Sequence, residues 1–146
     1  MLHQDRQRAC SFGADAERYD RFRPTYPPAL IDHLVGSSPG RVLDVGCGTG
    51  IVARLLAHRG CRVLGVEPDE RMAAVARRHG IEVEPGTFEA WDPQGRTFDL
   101  VTSGQAWHWV DPRLGASKAS SVLNPGGRLA VFWNIGNMPP ELRARL

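Results

Sequence analysis

Short apolar runs rich in β-branched residues alternate with longer amphipathic segments through the middle of the chain. This alternation is typical of βαβ units, in which parallel strands are connected by helices that cover the sheet. It constrains the chain to an α/β fold, and we predict a parallel sheet of about five strands with helices on both faces. The predicted strands are Arg41 to Val45, Arg62 to Val66, Ile81 to Glu84, Phe98 to Ser103, and Leu129 to Trp133.

Helical spacing of apolar residues and the turn residues between elements define the predicted helices. The first two belong to an N-terminal helical segment, residues 1–36, of a single domain that occupies residues 1–146. The fifth strand is continuously apolar, so we expect it to be buried. The predicted helices are Ala14 to Phe22, Pro27 to Val35, Ile51 to about His58, Pro68 to Gly80, and Pro112 to Leu123.

Composition excludes several classes of protein. The 146 residues carry 18 basic and 16 acidic side chains, and a formal charge of +2 gives no reason to expect nucleic acid as a partner. No apolar run reaches the roughly 20 residues that span a bilayer, and the first residues lack the apolar stretch of a signal peptide. Three cysteines at unrelated spacings predict no metal site. We therefore expect a cytoplasmic protein that contacts no membrane.

The segment after the first strand is a glycine loop that runs directly into a helix. Gly46 and Gly48 carry no side chain that would block a ligand, and amide groups at the start of a helix are hydrogen-bond donors. The loop alone also fits a tight βα turn without a ligand.

An acidic residue at the end of the second strand strengthens the first of these interpretations. Glu67 lies 21 positions after Gly46, the spacing at which a carboxylate reaches both ribose hydroxyls of a nucleoside above the loop. Its alternative role is to complement the positive end of the following helix. Together, the loop and Glu67 predict a nucleoside ligand.

The loop also discriminates between nucleoside cofactors. A dinucleotide fingerprint requires a small residue at its sixth position, where this chain has Ile51. An NAD-dependent oxidoreductase therefore remains only as an alternative. Asp44, two residues before Gly46, can face a cationic amino group, which favours a ligand that carries an amine and a carboxylate.

The run Val42-Leu-Asp-Val-Gly-Cys-Gly-Thr-Gly50 resembles motif I of the class I S-adenosylmethionine-dependent methyltransferases. Val66-Glu-Pro68 is similar to that family's ribose-binding segment, Phe98-Asp-Leu-Val101 to its fourth strand, and 123–129 to its turn into strand five. The resemblance implies a Rossmann-like sheet in the order 3-2-1-4-5, S-adenosylmethionine as cofactor and methyl transfer as activity.

The same resemblance implies which residues contact the cofactor. Gly46 and Gly48 would lie against its methionine part, and Thr87 and Phe88 would flank its adenine, although Phe88 also fits a core position. The family often has an acidic residue where this chain has Thr87. The full set implied around the cofactor is Tyr19, Arg23, Asp44, Gly46, Cys47, Gly48, Glu67, Pro68, Thr87, Phe88 and Ser103.

The segment Ser103-Gly-Gln-Ala-Trp-His-Trp-Val-Asp-Pro112 follows the fourth strand, where open α/β folds place ligands. It resembles a small-molecule subgroup related to trans-aconitate methyltransferase, so the acceptor expected is a carboxylate or hydroxyl compound. His108 is the candidate general base. Alternatively, His108 braces the loop while Trp107 or Trp109 packs on the core.

The segment Tyr19-Asp-Arg-Phe-Arg-Pro-Thr-Tyr26 resembles the N-terminal segment of the same subgroup, which lies across the cofactor. Arg23 would meet the methionine carboxylate and Tyr19 would cover the site. The spacing of Tyr19 and Phe22 also fits a helix that docks on the sheet edge.

The family's fold continues beyond strand five with a helix and two more strands, which this sequence lacks. We therefore expect a C-terminally truncated domain whose fifth strand presents an open apolar edge. Four interpretations remain: an enzyme impaired by truncation, a fragment of a longer enzyme, a homodimer that completes its sheet through this edge, or a non-catalytic cofactor-binding module.

Overall fold

The computed structural model describes residues 26–104 and 106–133 of the chain. Over these residues, strands and helices alternate as the hydrophobic pattern predicts, with one short 3₁₀ helix, Trp107–Trp109, ahead of the last α-helix. The helices are α1 (Pro28–Val35), α2 (Ile51–His58), α3 (Glu70–Arg78) and α4 (Pro112–Val122). The strands are β1 (Arg41–Val45), β2 (Arg62–Glu67), β3 (Glu82–Pro85), β4 (Phe98–Gly104) and β5 (Leu123–Phe132).

The five described strands form one parallel sheet in the order β3-β2-β1-β4-β5. The predicted order is therefore confirmed. The sheet order reverses beside β1, which pairs with β2 on one side and with β4 on the other. In open α/β sheets, this is the point at which ligands bind outside the carboxyl ends of the strands.

Both faces of the sheet are covered by helices because alternate strand residues point to opposite sides. On one face, Leu43 and Val101 pack with the inward side of α4 around Ala119 and Val122. On the other face, Val42 packs against α1 and α2. The prediction of helices on both faces is confirmed.

The fifth strand differs from its prediction. We expected a buried strand, but every residue of β5 is half-buried or exposed. Leu129 is 38% exposed, and Trp133, directly after the strand, is 47% exposed. The physical reason is its position: within the described ranges, β5 pairs with β4 and forms the edge of the sheet. The pairing of β4 with β5 is irregular there: Phe98 pairs with Leu123, but Leu100 pairs with Arg128. Residues 124–127 of β5 therefore form a bulge.

Most element boundaries differ from prediction by one or two residues, but β5 begins at Leu123, well before the predicted Leu129. The third helix begins at Glu70, two residues after the predicted Pro68, because the Asp69 side chain accepts a hydrogen bond from the Arg71 amide and acts as the N-cap. The predicted helix Ala14 to Phe22 lies outside the described residues. In the described part of the chain, no helix is both long enough and apolar enough to cross a membrane.

Candidate functional site

The glycine loop connects β1 to α2 at the carboxyl end of the sheet. Gly46, Gly48 and Gly50 have φ of +65°, +56° and +87°, the left-handed region in which side chains are strained. A Cβ on Gly46 would lie 2.6 Å from the Cβ of Ala106, whereas a Cβ on Gly48 would meet only the Met72 sulfur, at 3.8 Å. Space beside the loop is therefore open at Gly48 and filled by the protein itself at Gly46.

The amide groups of the loop are already bonded within the protein. Gly46 and Cys47 both donate to the Val66 carbonyl, at 2.8 and 3.2 Å, and Gly50 donates to the Cys47 carbonyl at 2.9 Å. Gly48 donates to Glu67 Oε1 at 2.8 Å. These four loop amides therefore fix the shape of the turn. The predicted donors are the amides at the start of α2, from Ile51 onward, and their role stays a prediction.

Glu67 ends β2 and points toward the loop. Its Oε1 accepts from Gly48 and its Oε2 accepts from the Asp69 amide, both at 2.8 Å. The side chain is 6% exposed, and burial raises the pKa of Glu67 from its ordinary 4.5 to about 7, although the two amide bonds oppose this shift. A carboxylate oxygen has two lone pairs, so each oxygen can accept a second donor.

Two more buried carboxylates flank the loop. Asp44 is 2% exposed, and its Oδ1 accepts from the Thr102 hydroxyl of β4 at 2.8 Å. Asp69 is 6% exposed, and its Oδ2 is buried without a hydrogen-bond partner among the described residues. The surroundings of the loop therefore favour a ligand that carries positive charge and hydrogen-bond donors.

Cys47 lies within this negative environment as a buried thiol. Burial, and next the charges of Asp44 and Glu67, raise the pKa of the Cys47 thiol well above its ordinary value, so the sulfur stays protonated. Its sulfur packs on Gly65 of β2, where a Cβ would lie only 2.6 Å away. The structure gives Cys47 a packing role in the loop, and its contact with cofactor remains a prediction.

The predicted adenine residues follow β3 in a turn. Thr87 is half-buried, and its backbone carbonyl accepts from Trp91 at 3.0 Å. Phe88 is buried in the core and stacks with Trp91 at a centroid distance of 6.3 Å. The structure therefore agrees with the alternative prediction, in which Phe88 is a core residue. Pro68 is half-buried immediately after Glu67, at the same edge of the sheet.

Ser103 lies within the sheet and is fully buried. Its hydroxyl donates to the Val45 carbonyl at 3.0 Å, which joins β4 to β1 beside the hydrogen bond between Thr102 and Asp44. The structure thus assigns the Ser103 side chain to strand pairing, and its predicted cofactor contact is untested.

The acceptor-side segment, residues 106–111, forms the 3₁₀ helix and the start of α4. Trp107 is half-buried and packs on Phe88 at 6.2 Å, which confirms that one of the two tryptophans contacts the core. The His108 side chain is not among those described, and Tyr19 and Arg23 lie outside the described residues. Their predicted roles are therefore untested.

Sequence reasoning missed several residues at this edge of the sheet. Thr102 bonds Asp44, Ala106 fills the space at Gly46, and Asp69 contributes a buried carboxylate rather than only an acid at the start of a helix. The position of Asp69, two residues after Glu67, could have marked it as a neighbour of the site. Thr102 contacts a neighbouring strand and Ala106 contacts a distant loop, so neither contact leaves a local signal in the sequence.

The sheet order and the loop at its reversal point define a Rossmann-like α/β domain. The family model described as "Methyltransferase domain" matches residues 42–127, which include the glycine loop, Glu67 and the acceptor-side segment. The chain belongs to this methyltransferase family.

Individual relatives agree with this assignment. An uncharacterized methyltransferase of Mycobacterium tuberculosis strain H37Rv is 40% identical over 136 residues, which cover 92% of this chain and 56% of the relative. A ubiquinone biosynthesis O-methyltransferase of Acinetobacter baylyi is 32% identical over 160 residues, covering 97% of this chain and 66% of the relative. The solved structure of a DhpI–SAH complex aligns with a TM-score of 0.70 at 27% identity, over 88% of this chain and 67% of that one. The chain thus spans a little over half of the first relative.

Proposed function

We propose that this chain binds S-adenosylmethionine and transfers its methyl group to a small-molecule acceptor. One observation carries the proposal: three buried carboxylates, Asp44, Glu67 and Asp69, surround a glycine loop of which four amides are already bonded within the protein. A ligand that suits this arrangement brings donors and positive charge, as a ribose diol, an ammonium and a sulfonium do.

The arrangement also argues against the alternative of an NAD-dependent oxidoreductase. A pyrophosphate bound along the glycine loop would need backbone donors there, but the amides of Gly46, Gly48 and Gly50 are bonded to Val66, Glu67 and Cys47. Nearby carboxylates would repel its two negative charges. Both cofactors contain a ribose that Glu67 could bind, so Glu67 does not discriminate between them.

We assign the parts of the site as follows. Glu67 accepts the ribose hydroxyls through the second lone pairs of its two oxygens. Asp44, held by Thr102, faces the ammonium of the methionine part. Thr87 and Pro68 border the adenine. Tyr19 and Arg23, from the N-terminal segment, close the site over the methionine carboxylate.

Methyl transfer needs little covalent chemistry from the protein. When bound, S-adenosylmethionine supplies an electrophilic methyl on a sulfonium, and S-adenosylhomocysteine (SAH) remains after an acceptor nucleophile has taken that methyl. The protein contributes alignment of the nucleophile with the methyl–sulfur axis and exclusion of water. A carboxylate acceptor needs no base, whereas a hydroxyl acceptor would lose its proton to His108.

An oxygen nucleophile is the proposed acceptor class. One relative is named as a ubiquinone biosynthesis O-methyltransferase, which supports transfer to oxygen. The aromatic segment Trp107–Trp109 supplies a wall for a small organic molecule. We further propose that the protein is cytoplasmic, that it belongs to the subgroup related to trans-aconitate methyltransferase, and that it forms a homodimer through the edge of β5.

Binding of the cofactor without methyl transfer would support the alternative of a non-catalytic cofactor-binding module.

Calorimetric titration of SAH and of NAD into the purified chain tests the proposed cofactor. We expect SAH to bind and NAD not to bind. Asp44→Asn should weaken SAH about tenfold, the usual effect of losing a charge-assisted contact. Asp99→Asn is the matched control, since Asp99 lies at the opposite end of the sheet, where it accepts from Arg41. NAD binding in preference to SAH, or equal effects of both substitutions, would overturn the proposal.

A further inference from the structure

The acceptor-side segment contacts two parts of the proposed cofactor site at once. At its start, Ala106 lies where a Cβ on Gly46 would collide with it, at 2.6 Å. One residue later, the Trp107 ring packs on Phe88 in the turn after β3. The segment therefore lies between the glycine loop and the proposed adenine turn, residues 87–91.

A hydrogen bond joins the far end of the same segment to the same turn. Glu89 Oε2 accepts from the Asp111 amide at 3.1 Å, although the two residues are 22 positions apart. Asp111 is also the N-cap of α4, where its side chain accepts from the Arg113 and Leu114 amides. One carboxylate on the turn thus fixes the point at which the acceptor-side segment becomes a helix.

Lys118, the single lysine of the chain, holds the turn from the other side. Its ammonium donates to the Glu89 carbonyl at 3.1 Å and to the Trp91 carbonyl, and lies 5.6 Å from the centre of the Phe88 ring. Because these groups are backbone and ring atoms, Lys118 fixes the shape of the turn. Burial lowers the pKa of Lys118, and the nearby charges of Asp92 and Glu89 oppose this shift. Glu89 is then presented to Asp111 on a rigid support.

Residues 106–111 pack closely against α4 and the 87–91 turn, so we expect them to move together. Gly115 of α4 lies so near that a Cβ there would be 2.4 Å from Val110 and 3.2 Å from Trp107. Trp107 is therefore confined between α4 and Phe88. A displacement at either end of the segment is transmitted along it, since interiors packed this tightly do not deform freely.

We propose that Glu89, held by Lys118, is a positioning residue that couples cofactor binding at the glycine loop and the 87–91 turn to the order of the acceptor-side segment 106–111. The inference rests on the proposed function, because it takes the adenine turn and the acceptor-side segment from that assignment. Cofactor that immobilises the turn would immobilise Asp111 through Glu89, so that the acceptor surface is completed only when the cofactor is present.

Hydrogen exchange, measured with and without saturating SAH, tests the coupling directly, because the Asp111 amide is itself the donor. In the wild type, we expect SAH to slow exchange at the glycine loop, the turn and residues 106–111, the last by about threefold or more. In Glu89→Ala, SAH should still bind and still protect the loop, but should leave residues 106–111 unchanged. Glu89→Gln keeps an acceptor oxygen and should restore the protection.

Two further variants make the outcomes decisive. Glu82→Ala removes an exposed carboxylate from β3 and should behave as the wild type. Lys118→Met removes the support of the turn and should reduce the SAH-dependent protection of 106–111, which keeps the test valid if Glu89→Ala does not fold. Full protection of 106–111 in Glu89→Ala or in Lys118→Met, or no protection in an SAH-bound wild type, would overturn the coupling. Failure of the wild type to bind SAH would instead overturn the proposed function.

Discussion

The two halves of the candidate site are built in different ways. The half around the glycine loop is made from residues 44–69 together with Thr102 and Ser103 of β4. Its hydrogen bonds join neighbouring elements, above all the bond from the Gly48 amide to Glu67. The acceptor half joins the turn after β3 to residues 106–118 through contacts between distant side chains, such as Glu89 with Asp111. The first half follows from a local motif, whereas the second exists only once the chain has folded.

Gly46→Ala should have the largest effect, because Gly46 is the point at which the two halves touch. The substitution combines a left-handed φ of +65° with a Cβ only 2.6 Å from Ala106. We expect the free energy of unfolding to fall by about 2–4 kcal/mol, measured by urea denaturation, together with loss of SAH binding.

Gly95→Ala is the matched control for this substitution. Gly95 has a similar φ of +75°, but nothing lies within 4 Å of its ideal Cβ. It should therefore show only the conformational cost, about 1–2 kcal/mol. Equal losses at both glycines would show that the contact with Ala106 is unimportant and that the halves are independent.

Thr102→Val should have the next largest effect, and within the glycine-loop half alone. The variant keeps the shape of the side chain but removes the donor to the buried Asp44 carboxylate. We expect a loss of about 1.5–3 kcal/mol in unfolding free energy, the range for hydrogen bonds to charged groups. Ser103→Ala removes a bond to a neutral carbonyl and should cost less. A larger loss of unfolding free energy in Ser103→Ala than in Thr102→Val would show that the Ser103 hydrogen bond is the more important one.

The pH dependence of SAH binding should reflect the raised pKa of Glu67. A protonated carboxyl accepts ribose hydroxyls less well than the ionised form. With a pKa of about 7, affinity should rise about tenfold between pH 6 and pH 8, measured by calorimetry. Glu67→Gln should show a flat profile. A profile in the wild type as flat as that of the variant would contradict this assignment.

The same pKa has the opposite consequence for stability. Because the pKa of Glu67 in the folded protein lies above its ordinary 4.5, the folded protein holds this proton more tightly than the unfolded chain. The contribution of Glu67 to stability is therefore largest below pH 4.5, decreases as the pH rises to about 7, and stays constant above. The Glu67→Gln variant should lack this decrease.

Thr87→Ala should have the smallest effect. Within residues 26–104 and 106–133, the Thr87 hydroxyl accepts only a long hydrogen bond, from the Ala90 amide at 3.4 Å. We expect SAH binding to weaken about two- to threefold, the effect of one neutral hydrogen bond. A loss of more than about tenfold would show that the turn contributes as much binding energy as the glycine loop.

The contrast between the halves also explains which features could be predicted from the sequence. The bounds of β1 and α2 are as predicted, because periodicity and glycine positions act locally. The sheet order is the one that the family resemblance implies. Glu67 faces the loop as its spacing indicates. The occupied loop amides were not predictable, because their acceptors depend on the exact turn geometry.

Long-range features were not predictable for a similar reason. An apolar run such as 129–133 fits a central strand as well as an edge strand, so the run alone did not predict that Leu129 is exposed. The family resemblance led us to expect an open edge at this strand, and β5 lies at the edge of the described sheet. Lys118 belongs to no motif that could be recognised in the sequence, yet its ammonium donates to the Glu89 carbonyl and supports the turn that contains Glu89. Contacts of this kind depend on which helix packs over which strand.

The central claim is that Glu67 binds the ribose hydroxyls of an adenosyl cofactor at the glycine loop. Its most direct test is a thermodynamic cycle in which SAH and its 2′-deoxy analogue are titrated into the wild type and Glu67→Ala. We predict that the wild type binds the analogue about tenfold or more weakly than SAH, while the variant binds both equally. The same loss in both proteins would contradict the claim, because the hydroxyl would then be bound by another group.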